Sequence, residues 1–66
     1  MKISIRLKDK ETGKESNSIS IEDLIYSQNE IEFEFGHYED EDYGTLPYKD
    51  FLFFRHDYEV IVKVGE

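Results

Sequence analysis

The stretch EIEFEFGHYEDED, residues 30–42, begins as an alternation of acidic and bulky apolar residues and ends as a run of acids. Ile31, Phe33 and Phe35 occupy every second position, which is the pattern of a strand with one buried face. The intervening glutamates then lie on the opposite, solvated face. The stretch therefore predicts a core strand that continues into an acidic loop.

The residues before this stretch predict a hairpin and a short helix. MKISIRLK, residues 1–8, alternates as a half-buried strand, and the polar DKETGK, residues 9–14, predicts a turn into a second strand that ends at Ile19 and Ile21. In SIEDLIYSQN, residues 20–29, a serine and two acids suit the first turn of a helix of about two turns.

The residues after the stretch predict a loop and a final strand. Residues 36–47 read as one loop because Gly36 and Gly44 bracket the acids and Pro47 follows. YKDFLFF, residues 48–54, is consistent with either a helix or a strand. YEVIVKV, residues 58–64, predicts a strand with its tyrosine and three valines on one face.

Together these elements predict a single compact α+β domain over residues 1–66. We expect a small antiparallel sheet of four or five strands, one short helix, and a second helical turn near 47–54 as the alternative to a strand there. The chain contains no cysteine, so disulfides and thiolate-bound zinc are excluded as sources of stability.

The net charge of -8 is unevenly distributed along the chain. Residues 15–48 contain ten acids and no lysine or arginine. Such a field repels nucleic acid and anionic lipid and attracts basic surfaces, so we expect no direct nucleic-acid or membrane binding. With neither a membrane-length apolar run nor a signal peptide pattern, an intracellular protein is expected.

Catalytic and metal motifs are weak. The two histidines, His37 and His56, lie far apart in the sequence, and no nucleophile and base occur in a recognisable arrangement, so we expect no enzyme. YEDEDYG, residues 38–44, departs from a calcium-binding loop at its glycine and its terminal glutamate. Neither a metal nor a cofactor is expected.

The acids themselves are the candidate site. Alternate strand residues lie about 6.8 Å apart, which is comparable to the spacing of successive phosphates in a nucleic-acid strand. The following loop would extend this row, and its tyrosines would add flat contact surfaces. The candidate partner-binding residues are Glu30, Glu32, Glu34, Tyr38, Glu39, Asp40, Glu41, Asp42 and Tyr43. The alternative is a solvated strand face and a solvated acidic loop with no binding role. The lysines and Arg6 of the first strand could bind an anion, but they are expected instead to pair with glutamates of a neighbouring strand.

The chain resembles the small acidic inhibitors encoded by bacteriophages, which include anti-CRISPR proteins and inhibitors of uracil-DNA glycosylase. KETGKES, residues 10–16, followed by Ile19 and Ile21, is similar to the amino-terminal region of one glycosylase inhibitor family, although Asn17 stands where that family has isoleucine. SISIEDLIY, residues 18–26, is similar to a second type. The resemblance implies a DNA mimic in the bacterial cytoplasm that blocks a basic nucleic-acid-binding protein, either a Cas effector or a DNA repair enzyme.

Two other roles are compatible with the same sequence. One is a homodimer or another assembly that buries a strand edge or the aromatic residues Phe51, Phe53 and Phe54. The other is the neutralisation of a toxin, because an acidic surface serves that role equally well. Acidity alone does not separate these roles from inhibition by mimicry.

Overall fold

The computed structural model describes residues 2–65 as a three-stranded sheet, a two-stranded sheet and two short helices. The elements are β1 (Lys2–Asp9), β2 (Ile19–Ser20), α1 (Ile21–Ser27), β3 (Glu32–Phe35), β4 (Gly44–Pro47), α2 (Tyr48–Phe54), a 3-10 turn (Arg55–Asp57) and β5 (Tyr58–Gly65). The predicted α+β class is confirmed. The five strands, however, form two sheets rather than one.

Sheet A has the order β2-β1-β5, with every neighbouring pair antiparallel. The pairing of β1 with β5 runs without a break from Lys2 opposite Gly65 to Asp9 opposite Tyr58. The predicted first hairpin is present, although β2 is only two residues long. It ends early because Ser20 caps α1: the Asp23 N–H donates to the Ser20 hydroxyl at 3.2 Å.

Sheet B is the hairpin of β3 and β4, and it corrects one prediction. Residues 44–47, expected to belong to the loop, form the strand β4 opposite β3. Composition hides this strand because Gly44 and Pro47 are poor strand formers. Pro47 is tolerated as the last residue of a strand, where its missing N–H breaks no continuous ladder. The chain then enters α2, so residues 48–54 are helical.

A short irregular segment, residues 15–17, joins the two sheets. Ser16 bonds to Leu7 of β1 through both its amide and its hydroxyl, at 2.7 and 2.8 Å. Its neighbour Asn17 bonds to Glu34 of β3 through its amide at 3.1 Å and through its side-chain oxygen at 3.0 Å. Because a side chain takes over part of the strand pairing, the segment breaks what would otherwise be one sheet.

The core lies between the two sheets and the helices. Its buried apolar residues are Ile5, Leu7, Ile19, Phe33 and Phe35. The rings of Phe33 and Phe51 lie 5.8 Å apart in an edge-to-face arrangement, and those of Phe35 and Tyr58 lie 5.6 Å apart. The alternation of β3 thus buries its phenylalanines as predicted.

The core-facing side of β5 is covered only at its Tyr58 end. Its register with β1 places Val60, Val62 and Val64 on the same face as Leu7, Ile5 and Ile3, in agreement with the predicted face. Yet these valines are 46%, 59% and 59% exposed. Tyr58 is the member of this face that packs into the core, against Phe35 and Phe51.

None of the helices described within residues 2–65 has the length and apolar character needed to cross a membrane.

Candidate functional site

The glutamates of β3 lie on the outer face of sheet B. Glu32 and Glu34 are exposed, whereas Phe33 and Phe35 between them are buried. Glu30 is also exposed, but it lies in the turn before β3 and not in the strand. The regular row therefore consists of two glutamates, with the third set apart from it.

Tyr43 lies beside this row. The pKa of its phenol is raised, first by desolvation of the hydroxyl and then by the negative charge of nearby Glu34. The charge of Glu32 raises the pKa further. Two carboxylates and a half-buried aromatic ring thus lie close together, and we call Glu32, Glu34 and Tyr43 the acidic face.

The loop after β3 turns back on itself. Gly36 has a φ of 82°, in the left-handed region that favours glycine, and its Cα carries no side chain on the side that faces the loop acids. A Cβ there would come within 3.6 Å of the Asp40 carboxylate. That carboxylate accepts a hydrogen bond from the His37 N–H at 3.1 Å, so Asp40 has a local structural role as well as a charge.

The four loop acids differ in their surroundings. Asp42 forms a salt bridge with Lys14 of the first turn, which lowers the pKa of Asp42 chiefly through the hydrogen bond. Glu39 and Glu41 are exposed. Tyr38 is 80% exposed and extends from the same loop. The loop therefore exposes Tyr38, Glu39 and Glu41, while Asp42 is paired with a cation.

Sequence reasoning missed Glu15 as a neighbour of the acidic face. Because residues 15–17 join the two sheets, Glu15 lines the same shallow depression as Glu34 and His37. Its carboxylate binds the Arg6 guanidinium at 2.7 Å, and this hydrogen bond is the main reason that the pKa of Glu15 is lowered. No simple sequence pattern predicts this, because it depends on a bridge between sheets.

The basic residues of β1 form the border of the acidic face. Arg6 pairs with Glu15, and Lys8 lies opposite Glu59 in the sheet and next to Glu15 through an isolated bridge. Among residues 2–65, neither Glu32 nor Glu34 has a salt-bridge partner. Arg6 and Lys8 thus lie beside glutamates other than those of β3, whereas Lys2 lies opposite Gly65.

The two histidines lie at separate places. His37 borders the depression beside Glu34, whereas His56 lies in the 3-10 turn near Asp9 and Lys10. In the part of the chain that the structure describes, no group of three or more histidine or acidic side chains is arranged to hold a metal ion. The chemistry that the acidic face offers is electrostatic attraction and hydrogen-bond acceptance.

Comparison of the chain with protein families, with curated proteins and with solved structures gives no significant match.

Proposed function

We propose that this chain is a non-enzymatic inhibitor that mimics nucleic acid and blocks the basic groove of a nucleic-acid-binding protein. The observation that carries the proposal is that Glu32 and Glu34 are exposed side by side without a salt-bridge partner among residues 2–65. Other acids near them, Glu15 and Asp42, are matched to cations. Two unmatched glutamates at alternate strand positions, which lie about 6.8 Å apart along a strand, suit the lysines and arginines of a phosphate-binding groove.

The acidic face and the loop that follows β3 together have the composition of a contact surface. Charged residues at the rim of an interface mainly set the rate of encounter and its dependence on salt, whereas aromatic residues more often supply the buried anchors. Tyr38 is the more accessible ring for that purpose, and Tyr43 is partly packed beside Glu34. We therefore assign the anchor to Tyr38 and the electrostatic steering to the glutamates.

The class of partner follows from the charge. A chain with a net charge of -8 is steered toward strongly basic grooves. A Cas effector, whose guide and target channels are basic, and a DNA repair enzyme both present such grooves, and both would be met in a bacterial cytoplasm.

The test is a competition experiment. Proteins captured from a bacterial lysate by the immobilised chain are identified, purified, and mixed with a fluorescent DNA duplex or guide RNA. We expect the chain to displace the nucleic acid, with an effect that weakens as salt is added. The variant Glu32→Gln with Glu34→Gln should need at least about tenfold more protein for the same displacement.

A matched control makes the same change in charge elsewhere. Glu11→Gln with Glu22→Gln also removes two exposed carboxylates but leaves the acidic face intact, so its displacement curve should stay close to that of the parent chain. The proposal is overturned if both double variants inhibit equally well. It is also overturned if none of the captured proteins binds nucleic acid.

The second candidate function is an assembly module, and a different surface favours it. Phe53 is 81% exposed on α2 and the valines of β5 are about half exposed, which is more apolar surface than a simple charge mimic requires. In that case the Glu32 and Glu34 substitutions would leave binding to the partner unchanged. A toxin-neutralising role would instead be recognised from the identity of the captured protein.

A further inference from the structure

The outer edge of β5 is an open template for strand pairing. Sheet A has the order β2-β1-β5, so within residues 2–65 β5 pairs on one side only. The strand is eight residues long, Tyr58–Gly65. Its outward N–H and C=O groups are therefore available to another strand.

Three features that often protect such an edge, namely proline, a bulge and a very short strand, are missing from β5, although the strand carries Lys63. Soluble proteins block edge strands with proline, bulges, inward-pointing charges or very short strands. Here the strand contains no proline and its register with β1 has no bulge. On the side of β5 that faces the core lie Tyr58 and three valines, and the valines are exposed.

We propose that the partner of this edge is a second copy of the same chain. The two β5 strands pair antiparallel about a two-fold axis through Ile61, which makes a six-stranded sheet from the two copies of sheet A. A two-fold axis makes the contact self-complementary, and most soluble homo-oligomers have this symmetry. The sequence of β5 allows such a self-complementary contact.

The charges of β5 are placed symmetrically about Ile61. With the axis there, Glu59 of each copy lies opposite Lys63 of the other, so two opposite-charge pairs form across the new boundary. Val60 lies opposite the partner's Val62 in the same register. The strand is also locally neutral, which matters because two chains that each carry a charge of -8 repel elsewhere.

Other registers lose the pairing of Glu59 with Lys63 or separate the valines of the two copies. A slip of one residue would place the valine row of one copy on the opposite side of the sheet from the valine row of the other. An axis through Val60 would set Glu59 opposite Ile61, and an axis through Val62 would set it opposite Gly65. The axis at Ile61 is therefore the register that pairs both charges and keeps the valines on one face.

The apolar surface gains from the same arrangement. Ile3 is 40% exposed and continues the face of the β5 valines. Placing two such faces side by side brings opposite valines to a Cβ separation of about 4.5–5.5 Å and removes part of their surface from water. Edge pairing alone is a small interface, so we expect a dimer that dissociates on dilution.

Charge exchange tests both the partner and the register. Glu59→Lys gives a strand with two lysines at the paired positions, and Lys63→Glu gives one with two glutamates. Each variant alone should show at least about a tenfold weaker dimer than the parent chain, by sedimentation equilibrium or native mass spectrometry. An equimolar mixture of the two should form a heterodimer, because lysines then lie opposite glutamates.

The controls separate this effect from misfolding. Circular dichroism should show that each single variant is folded, and the double variant with both changes should dimerise like the parent chain. A parent chain that stays monomeric at millimolar concentration overturns the proposal and leaves the edge to a different protein. A dimer insensitive to the exchanges, or variants that fail to form the mixed dimer, overturns the register.

Discussion

The outer face of sheet B and the inner face of β5 both come from strict alternation, yet they end in opposite environments. In β3 the alternation buries Phe33 completely and leaves its glutamates in water. In β5 the same period places three valines on the core side, and they remain about half exposed. Alternation thus determines which residues share a face, while the burial of that face depends on whether another element covers it.

The two regions differ in whether another element packs over the apolar face of the strand. Phe33 packs against Phe51 of α2, and both phenylalanines of β3 share the buried cluster with residues of β1, whereas α2 reaches β5 at its Tyr58 end. A chain of 66 residues has too few elements to cover every apolar face. What is left over is an acidic face on one sheet and an apolar edge strand on the other, and we assign a separate binding role to each.

The largest expected effect comes from shortening one side chain in each of the two regions. Phe33→Ala should lower the free energy of unfolding by about 3–5 kcal/mol, because it opens a cavity in the centre of the core. Val62→Ala should cost less than about 1 kcal/mol in dilute solution, where the chain is monomeric, because its side chain is largely in water. Urea unfolding followed by circular dichroism measures both losses.

Equal losses in these two variants would contradict the view that β5 is uncovered. If Phe33→Ala does not fold at all, the milder Phe33→Leu provides a measurable loss for the same comparison. Repeating the Val62→Ala measurement at high protein concentration should reveal a larger cost, because the valine also contributes to the dimer.

An effect of intermediate size is expected at the joint between the sheets. Ser16→Ala removes the hydroxyl that accepts a hydrogen bond from the Leu7 N–H at 2.8 Å in a buried position. We expect a loss of about 1–3 kcal/mol in the free energy of unfolding, since a buried donor is left without an acceptor. The exposed Ser18, changed to alanine, is the control and should stay within about 0.5 kcal/mol of the parent chain. Similar losses in the free energy of unfolding for the two serine variants would show that the Ser16 hydrogen bond contributes little to holding the sheets together.

The smallest effect is expected from pH. Lys14 lowers the pKa of Asp42 below its ordinary value of 3.8, so the pair stabilises the fold above that pH and stops doing so as the pH falls through the lowered pKa. The melting temperature of the parent chain should therefore exceed that of Lys14→Gln at neutral pH, and the difference should vanish in strong acid.

Both partners of this salt bridge are accessible, so the difference should be small and should shrink as salt is added. Lys10→Gln is the control, because it makes the same change in charge at an exposed position. A difference for Lys14→Gln that matched this control at every pH would mean that the salt bridge contributes only through net charge.

Much of this fold was predictable because its strongest signals are local. The alternation of residues 2–8, 31–35 and 58–64 identified three strands, and Ser20 with the acids after it identified the start of α1. The strand β4 was missed because Gly44 and Pro47 resemble a loop by composition. It is a strand because β3 needs a partner, which is a tertiary requirement.

The candidate site was predictable only in part for the same reason. That Glu32 and Glu34 face water follows from their spacing. That Glu15 lies near Glu34, that Lys14 neutralises Asp42 and that Glu30 falls outside the strand all depend on contacts between distant segments. The segment 15–17, which brings Glu15 beside Glu34, has no periodic pattern that would identify it in the sequence.

The register of sheet A has a further consequence, for the order in which the chain folds. β3 and β4 are joined by one short loop, so their pairing closes a small loop at little entropic cost, whereas β1 and β5 come from opposite ends of the described chain. Long-range strand pairing is slow, and it follows local pairing. Until it is complete, β5 has both edges free, and native closure within one molecule competes with pairing between the β5 strands of different molecules. The rate of β1–β5 pairing therefore sets the protein concentration above which association between unfolded chains is faster than folding.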